Sequence, residues 1–259
     1  MVVESVESSV NGLTGGRVKS VLPFHKYTGL MTGNIYIIDG EELALVDTGA
    51  PVDSRLVARH LNKLGRSPGE LGHIFITHFH VDHAGAAAEL KRLSGALVYA
   101  HEGDAPPLQG DDTVPSVYRK GVIGRAASAV PGVSVRMAEV PPVEVDVALK
   151  DGDVVPVLGG MRVVHAPGHT PGNCCYYWVR EGIIFSGDAI INTFHFLTLP
   201  TEGFSCDFDQ AAVSACAVVE ALDGERVRML CPGHGPVVGE DAMRRLERFR
   251  KKMARKAKS

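Results

Sequence analysis

An α/β fold is predicted for this chain of 259 residues by three observations. A strand, a helix and a strand follow one another between residues 73 and 100 at the lengths of a crossover unit. A second strand-rich block fills residues 161–186 and leads into another helix. The composition, 45% apolar and 22% charged, supplies enough hydrophobic surface to bury a sizeable core and excludes a disordered chain. No apolar run approaches the ~18 residues needed to span a bilayer. The start, Met1-Val2-Val3-Glu4-Ser5, lacks a cationic stretch followed by a hydrophobic one, so a cytoplasmic location without membrane attachment is expected.

In chain order, residues 1–16 are rich in Ser, Gly and Val and read as a loosely held lead-in. Strands follow at Arg17 to Phe24, Asn34 to Asp39 and Leu43 to Asp47, the last two joined by the turn Asp39-Gly40-Glu41-Glu42. Apolar residues at helical spacing from Ser54 to Leu61, with a stop at Gly65, predict a helix. His73 to Thr77 is a nearly continuous apolar run of the kind found in a covered strand. A helix over Ala84 to Leu93 and a strand over Ala96 to Ala100 complete the crossover. Residues 102–150 carry six prolines and read as an insertion over the scaffold rather than part of its core. Strands at Met161 to Ala166, Asn173 to Arg180 and Gly182 to Ser186 precede a helix over Asp209 to Leu222, a strand at Val227 to Cys231 and a basic helix from Glu240. Residues 17–243 are thus expected to form one domain, with 244–259 its basic end.

The net charge of −3 hides a division. Residues 244–259 hold nine Lys or Arg against one Glu, a net of +8; the rest holds 18 against 29, a net of −11. An acidic body disfavours a broad nucleic-acid surface, and the basic end reads as a solvated helix terminus. Five scattered Cys with no CxxC pair are a poor disulfide framework and read as buried small hydrophobes.

The chemistry is concentrated in Thr77-His78-Phe79-His80-Val81-Asp82-His83, where three of the 11 His and one Asp occupy six residues at a strand-to-helix junction. On extended backbone His78 and His80 point to one side, and Asp82 and His83 lie on the turn into the helix. At this composition an HxHxDH string arises by chance in roughly one chain in a thousand. Imidazole and carboxylate donors suit Zn, Fe(II), Mn and similar cations. Three further segments place a His or Asp among Gly and Pro near an apparent strand end: His165-Ala166-Pro167-Gly168-His169, Ser186-Gly187-Asp188 and Cys231-Pro232-Gly233-His234-Gly235.

In this order and spacing, these segments together with Val46-Asp47-Thr48-Gly49 resemble the metallo-β-lactamase superfamily over about residues 18–236. The resemblance implies a four-layered αβ/βα sandwich with its metals in a groove at one edge. It implies that His78, His80 and His169 bind one metal, that Asp82, His83 and His234 bind a second, and that Asp188 bridges them. Asp47 would steady the ligand loops through hydrogen bonds without touching metal. Two cations there, Zn first with Fe, Mn or Co as alternatives, would share a water, lower its pKa and present hydroxide to a carbonyl or phosphoryl group. Asp82 is assigned to orient that nucleophile and relay its proton, and His234 to face the developing oxyanion.

Asp188 stands where class B1 β-lactamases carry a metal-binding Cys, and His83 where they carry a non-ligand, so antibiotic hydrolysis is disfavoured. The Asp-bridged set resembles that of glyoxalase II-type thioesterases, lactonases and phosphodiesterases. A small ester, thioester, lactone or phosphodiester is therefore the expected substrate. One group of lactonases places a Tyr three residues after the bridging Asp; here that position is Ile191, and Tyr27 is a candidate substitute. His195, in an aromatic loop seven residues after Asp188, is a second candidate substrate contact. The rival within the same fold is a mononuclear iron persulfide dioxygenase, which needs fewer ligands; a non-catalytic metal-binding protein is a third reading.

Overall fold

The computed structural model describes residues 21–24, 33–111, 140–239 and 241–256. Its first sheet holds β1 (Val21–Phe24), β2 (Ile35–Asp39), β3 (Leu43–Val46), β4 (Leu71–Phe75), β5 (Leu97–His101) and β6 (Val147–Leu149), side by side in chain order. β1, β2 and β3 are antiparallel neighbours, whereas β3 to β6 are parallel. Parallel neighbours need a connection that passes over one face of the sheet. Helix α1 (Ser54–Lys63) makes the first, α2 (Val81–Ala84) with α3 (Ala87–Ser94) makes the second, and α4 (Ala105–Leu108) begins the third.

The second sheet has the order β13-β10-β9-β8-β7. Strands β7 (Val154–Val155), β8 (Met161–His165), β9 (Cys174–Trp178) and β10 (Ile183–Gly187) form an antiparallel meander. A small hairpin of β11 (Ile191–Thr193) and β12 (Phe196–Thr198) and helix α5 (Phe208–Ala221) then lead to β13 (Met229–Pro232), parallel to β10. Helix α6 (Ala242–Lys256) follows.

Strand periodicity explains how these pieces stack. Ile35, Ile37, Leu43 and Leu45 turn one way and pack with Val57 and Leu61 of α1 and Leu90 of α3. Their neighbours Tyr36, Ile38, Ala44 and Val46 turn the other way and meet Cys174, Tyr176 and Trp178 of β9 between the sheets. Cys175, Tyr177 and Ile184 point outward again, against Val218 and Val219 of α5 and Leu246 and Phe249 of α6. Each central strand is covered on both faces, which is why it reads as an unbroken apolar run. The result is a helix–sheet–sheet–helix sandwich of four layers.

Three differences from the sequence expectations have physical causes. The strand expected at His73 to Thr77 spans Leu71–Phe75, because at Thr77 the chain bends away to bond Asp47. The helix expected over Ala84 to Leu93 is divided, since the Ala86 amide donates to the Gly49 carbonyl at 3.1 Å and starts a new axis. The stretch 102–150 is not wholly outside the core: Leu108 and Val143 are buried in the first outer layer and β6 joins the sheet. Its residues 112–139, the lead-in 1–16 and Arg17 to Ser20 lie outside the described residues.

Two hydroxyls tie the sheets together near one rim. The Tyr176 Oη donates to the Ile76 carbonyl at 2.9 Å, and the Tyr36 Oη donates to the Pro232 carbonyl at 2.6 Å. Both acceptors lie two residues before a histidine, His78 and His234. Tyr176→Phe keeps the ring but leaves a buried carbonyl without this donor, so unfolding by urea is expected to show a loss of about 1–2 kcal/mol.

Candidate metal centre

Strands β3, β4, β10 and β13 end at the same rim, and the residues that follow them are Asp47, the His78–His83 segment, Asp188 and His234. The β8–β9 loop brings His169 to the same place. Loops beyond the carboxyl ends of parallel strands are where α/β sheets assemble their sites. Close approach at this rim has a local requirement: a Cβ on Gly233 would fall 2.2 Å from Asp188 Oδ1, so the chain before His234 must be bare.

The structure brings together His78, His80, Asp82, His83, His169, Asp188 and His234. They form three overlapping sets, His78/His80/His169, His78/His83/Asp188 and Asp82/His83/His234, each with donor atoms within 4.8 Å of one another. Asp188 sits between them. Its Oδ2 lies 3.4 Å from His169 Nε2 and 3.3 Å from His234 Nε2, and its Oδ1 lies 3.6 Å from His83 Nε2. Asp82 Oδ2 lies 3.4 Å from His234 Nε2. His78 and His83 are fully buried, while the side chains of Asp82 and His234 are 22% and 24% exposed, so the cluster opens to solvent on their side.

The donor set fits cations. His78 Nε2, His80 Nε2, His169 Nε2 and Asp188 Oδ1 are buried without a hydrogen-bond partner among the described residues. Buried polar atoms left unpaired cost free energy, and such a convergence of lone pairs is what a metal satisfies. The opposite ring nitrogens are held. His78 Nδ1 is 3.0 Å from Thr77 Oγ1, His169 Nδ1 is 3.2 Å from Ser205 Oγ, and His83 Nδ1 is 2.8 Å from Asp47 Oδ2. Anchoring one nitrogen fixes the ring and turns the other inward.

The electrostatics divide the cluster in two. Burial and the neighbouring imidazoles hold His78 well below its usual pKa, and burial brings His80 to about 4 and His169 to about 3. These rings are neutral at pH 7, the form that ligates. Burial also opposes charge on His83 and His234, but Asp82 and Asp188 outweigh it; His83 rises to about 9 and His234 rises well above 6.5. The same attraction overcomes burial at Asp188 and holds it well below the usual carboxylate range.

Residues 28–234 match the family described as Lactamase_B, the metallo-beta-lactamase superfamily. The chain belongs to the metallo-beta-lactamase superfamily. Relatives include the acyl-coenzyme A thioesterase MBLAC2 of Gallus gallus, 28% identical over 82% of this chain and 76% of that protein. The hydroxyacylglutathione hydrolase of Maricaulis maris is 29% identical over 59% of this chain and 44% of that protein. Among solved structures, the metallo-beta-lactamase family protein TTHA1429 from Thermus thermophilus superposes with a TM-score of 0.67 at 23% identity, covering 91% of this chain and 79% of the other. TTHA1623 in a di-iron-bound form gives 0.60 at 26% identity, covering 86% and 98%.

Within this metallo-beta-lactamase scaffold Asp47 touches both parts of the ligand segment. Its Oδ1 accepts from the Thr77 amide at 2.8 Å, its Oδ2 accepts from Thr77 Oγ1 at 2.8 Å, and Oδ2 also holds His83. Asp47 has φ +57°, a left-handed conformation that Asp tolerates better than most residues. Thr77 and Ser205 were not singled out from the sequence. Thr77 had a signal, being next to His78; Ser205, 36 residues from His169, had none.

The two candidate substrate contacts fare differently. Tyr27 lies outside the described residues. His195 is not among the clustered side chains: it is exposed at the tip of the β11–β12 hairpin, where its carbonyl accepts from Arg245. The base of that hairpin does reach the centre, since the Asn192 amide donates to the His234 carbonyl at 3.0 Å. No helix among the described residues is long and apolar enough to cross a membrane.

Asp47→Asn replaces one of these acceptors by an NH2 group and loosens His83. It is expected to weaken metal retention about 10–100-fold, read by competition with a chelating indicator, with little change in the far-ultraviolet circular dichroism.

Proposed function

We propose that the chain is a dinuclear metal-dependent hydrolase whose substrate is a small acyl thioester. The observation that carries the reading is the convergence of seven ligand-type side chains with three buried imidazole nitrogens and a carboxylate oxygen unpartnered among the described residues. His78, His80 and His169 would hold one cation and Asp82, His83 and His234 the other, with Asp188 offering an oxygen to each. When bound, two divalent cations would supply an activated water near neutral pH and polarise the substrate carbonyl. Zn is the expected metal, and Fe, Mn or Co suit the same donors.

The chain's own residues would do the rest. Asp82, on the open side, has a carboxylate oxygen 3.4 Å from His234 Nε2 and is suited to orient water and accept its proton. His234, also exposed there, would face the oxygen on which charge develops as the carbonyl is attacked. The buried side, with His78 and His83 shut off from solvent, keeps the ligand geometry fixed while the open side exchanges substrate and product. The thioester choice is supported by two relatives, an acyl-coenzyme A thioesterase and a hydroxyacylglutathione hydrolase.

The test is metal content combined with a substrate panel: acyl-coenzyme A, S-lactoylglutathione, a p-nitrophenyl ester, bis-p-nitrophenyl phosphate and a homoserine lactone. Thioester cleavage is expected to be fastest, to vanish with chelator and to return with added metal. One iron per chain with oxygen consumption on a persulfide would replace this reading by the dioxygenase one. Asp188→Ala is expected to lower thioester turnover by at least about 100-fold; activity surviving that substitution would refute the bridging role.

Asp82→Asn keeps a ligand oxygen but loses the proton acceptor. It is expected to lower kcat by about 10²–10⁴-fold. Full turnover with both metals present would show that Asp82 is not the relay.

A further inference from the structure

Asp104 is a buried carboxylate that the reaction scheme leaves unused. It is 1% exposed and stands at the start of α4, in Asp104-Ala105-Pro106-Pro107. An Asp at this position ordinarily caps the helix by accepting from the second or third helical amide. Here both of those residues are prolines, which have no N–H, and the side chain makes no capping bond. The carboxylate is released for other partners.

Those partners belong to the His78/His80/His169 set. Asp104 Oδ2 accepts from the amide of Phe79, between His78 and His80, at 3.0 Å. The same oxygen accepts from Thr170 Oγ1, next to His169, at 2.6 Å, and Oδ1 accepts from the Gly172 amide at 2.6 Å. One side chain thus joins a ligand segment of the first sheet to the ligand loop of the second. The approach is close enough that a Cβ on Gly172 would lie 2.3 Å from the Asp104 amide nitrogen. Burial pushes the Asp104 carboxyl up to about 7 against the pull of these three donors. Among the described residues, the partners of this buried acidic group lie on the two ligand-bearing segments.

We infer that Asp104 is a positioning residue for the three-histidine half of the centre, whereas Asp47 holds His83 directly and His78 through Thr77. The inference rests on the metal-binding reading above. Without Asp104, the His78–His80 segment and the His169 loop would lose the carboxylate that joins them side by side, and three imidazole nitrogens would be held less firmly on one point.

The test uses the full chain loaded stepwise with cobalt(II) and with zinc. In Asp104→Asn one equivalent is expected to bind about 10–100-fold more weakly, by indicator competition, and the visible cobalt(II) spectrum of that equivalent to change. Asp47→Asn is expected to perturb both equivalents, through His83 and through Thr77 beside His78, so the two variants should differ in whether the second spectral component moves as well. Wild-type affinity for both equivalents and an unchanged spectrum in folded Asp104→Asn would overturn the proposal. If Asp104→Asn does not fold, Thr170→Val removes one donor only; a smaller loss in the same equivalent supports the proposal and no change overturns it. If wild-type protein takes up a single ion, the dinuclear reading fails, while the effect of Asp104 on the ion held by the three histidines is still measured.

Discussion

Two carboxylates and five imidazoles crowd the rim where the sheets meet, and the described residues around them do not satisfy them all. Asp188 faces His83, His169 and His234 at 3.3–3.6 Å, yet among the described residues its Oδ1 and three ring nitrogens have no hydrogen-bond partner. Unpaired groups of this kind each cost on the order of 1–3 kcal/mol. The cluster therefore opposes folding, and the rest of the molecule must hold it in place. Three apolar layers provide that force. A cation at the site would relieve the conflict by taking up the lone pairs that no protein donor meets.

How the rim is held explains why the ligands converge. Two of the ligand segments are tied to the opposite sheet by groups close to them. The Asn34 amide donates to the Gly233 carbonyl at 2.7 Å, and its side chain donates to the Pro232 carbonyl at 2.8 Å. The Cys174 amide at the start of β9 donates to the Thr77 carbonyl at 2.9 Å. Together with the tyrosine bonds to Ile76 and Pro232, these contacts fix the His78 and His234 segments independently of the ligand side chains. Precision at the centre is thus inherited from sheet-to-sheet registry, where hydrogen bonds are buried and strong.

Much of this was legible in the sequence because it is local. The strands and helices follow from periodicity, and His78, His80, Asp82 and His83 are legible because they fall in six residues with a strand before them. His169, Asp188 and His234 became legible through the Gly and Pro around them and the order in which they occur. What was not legible depends on contacts between distant parts of the chain. The break between α2 and α3 comes from an amide of Ala86 taken by Gly49, outside the segment, and Gly85 beside it is a weak local sign. Ser205 and Asp104 likewise act on partners 36 and up to 68 residues away. The β11–β12 hairpin escaped notice for another reason. Its turn residues Phe194 and His195 both have positive φ, where Asn and Gly are expected, and the contact of Arg245 with the His195 carbonyl holds the tip.

The identity of residue 188 shows how chemistry and geometry constrain each other. A thiol offers one donor atom, whereas a carboxylate offers two, separated and differently directed. At this position the two oxygens are used in different directions: Oδ2 toward His169 and His234, Oδ1 toward His83. The surrounding rings respond to that negative charge, with His83 and His234 drawn toward protonation while His78, His80 and His169 remain neutral. An acid at 188 therefore organises both halves of the centre at once, and the neutral half is the one that burial has already prepared to bind a cation.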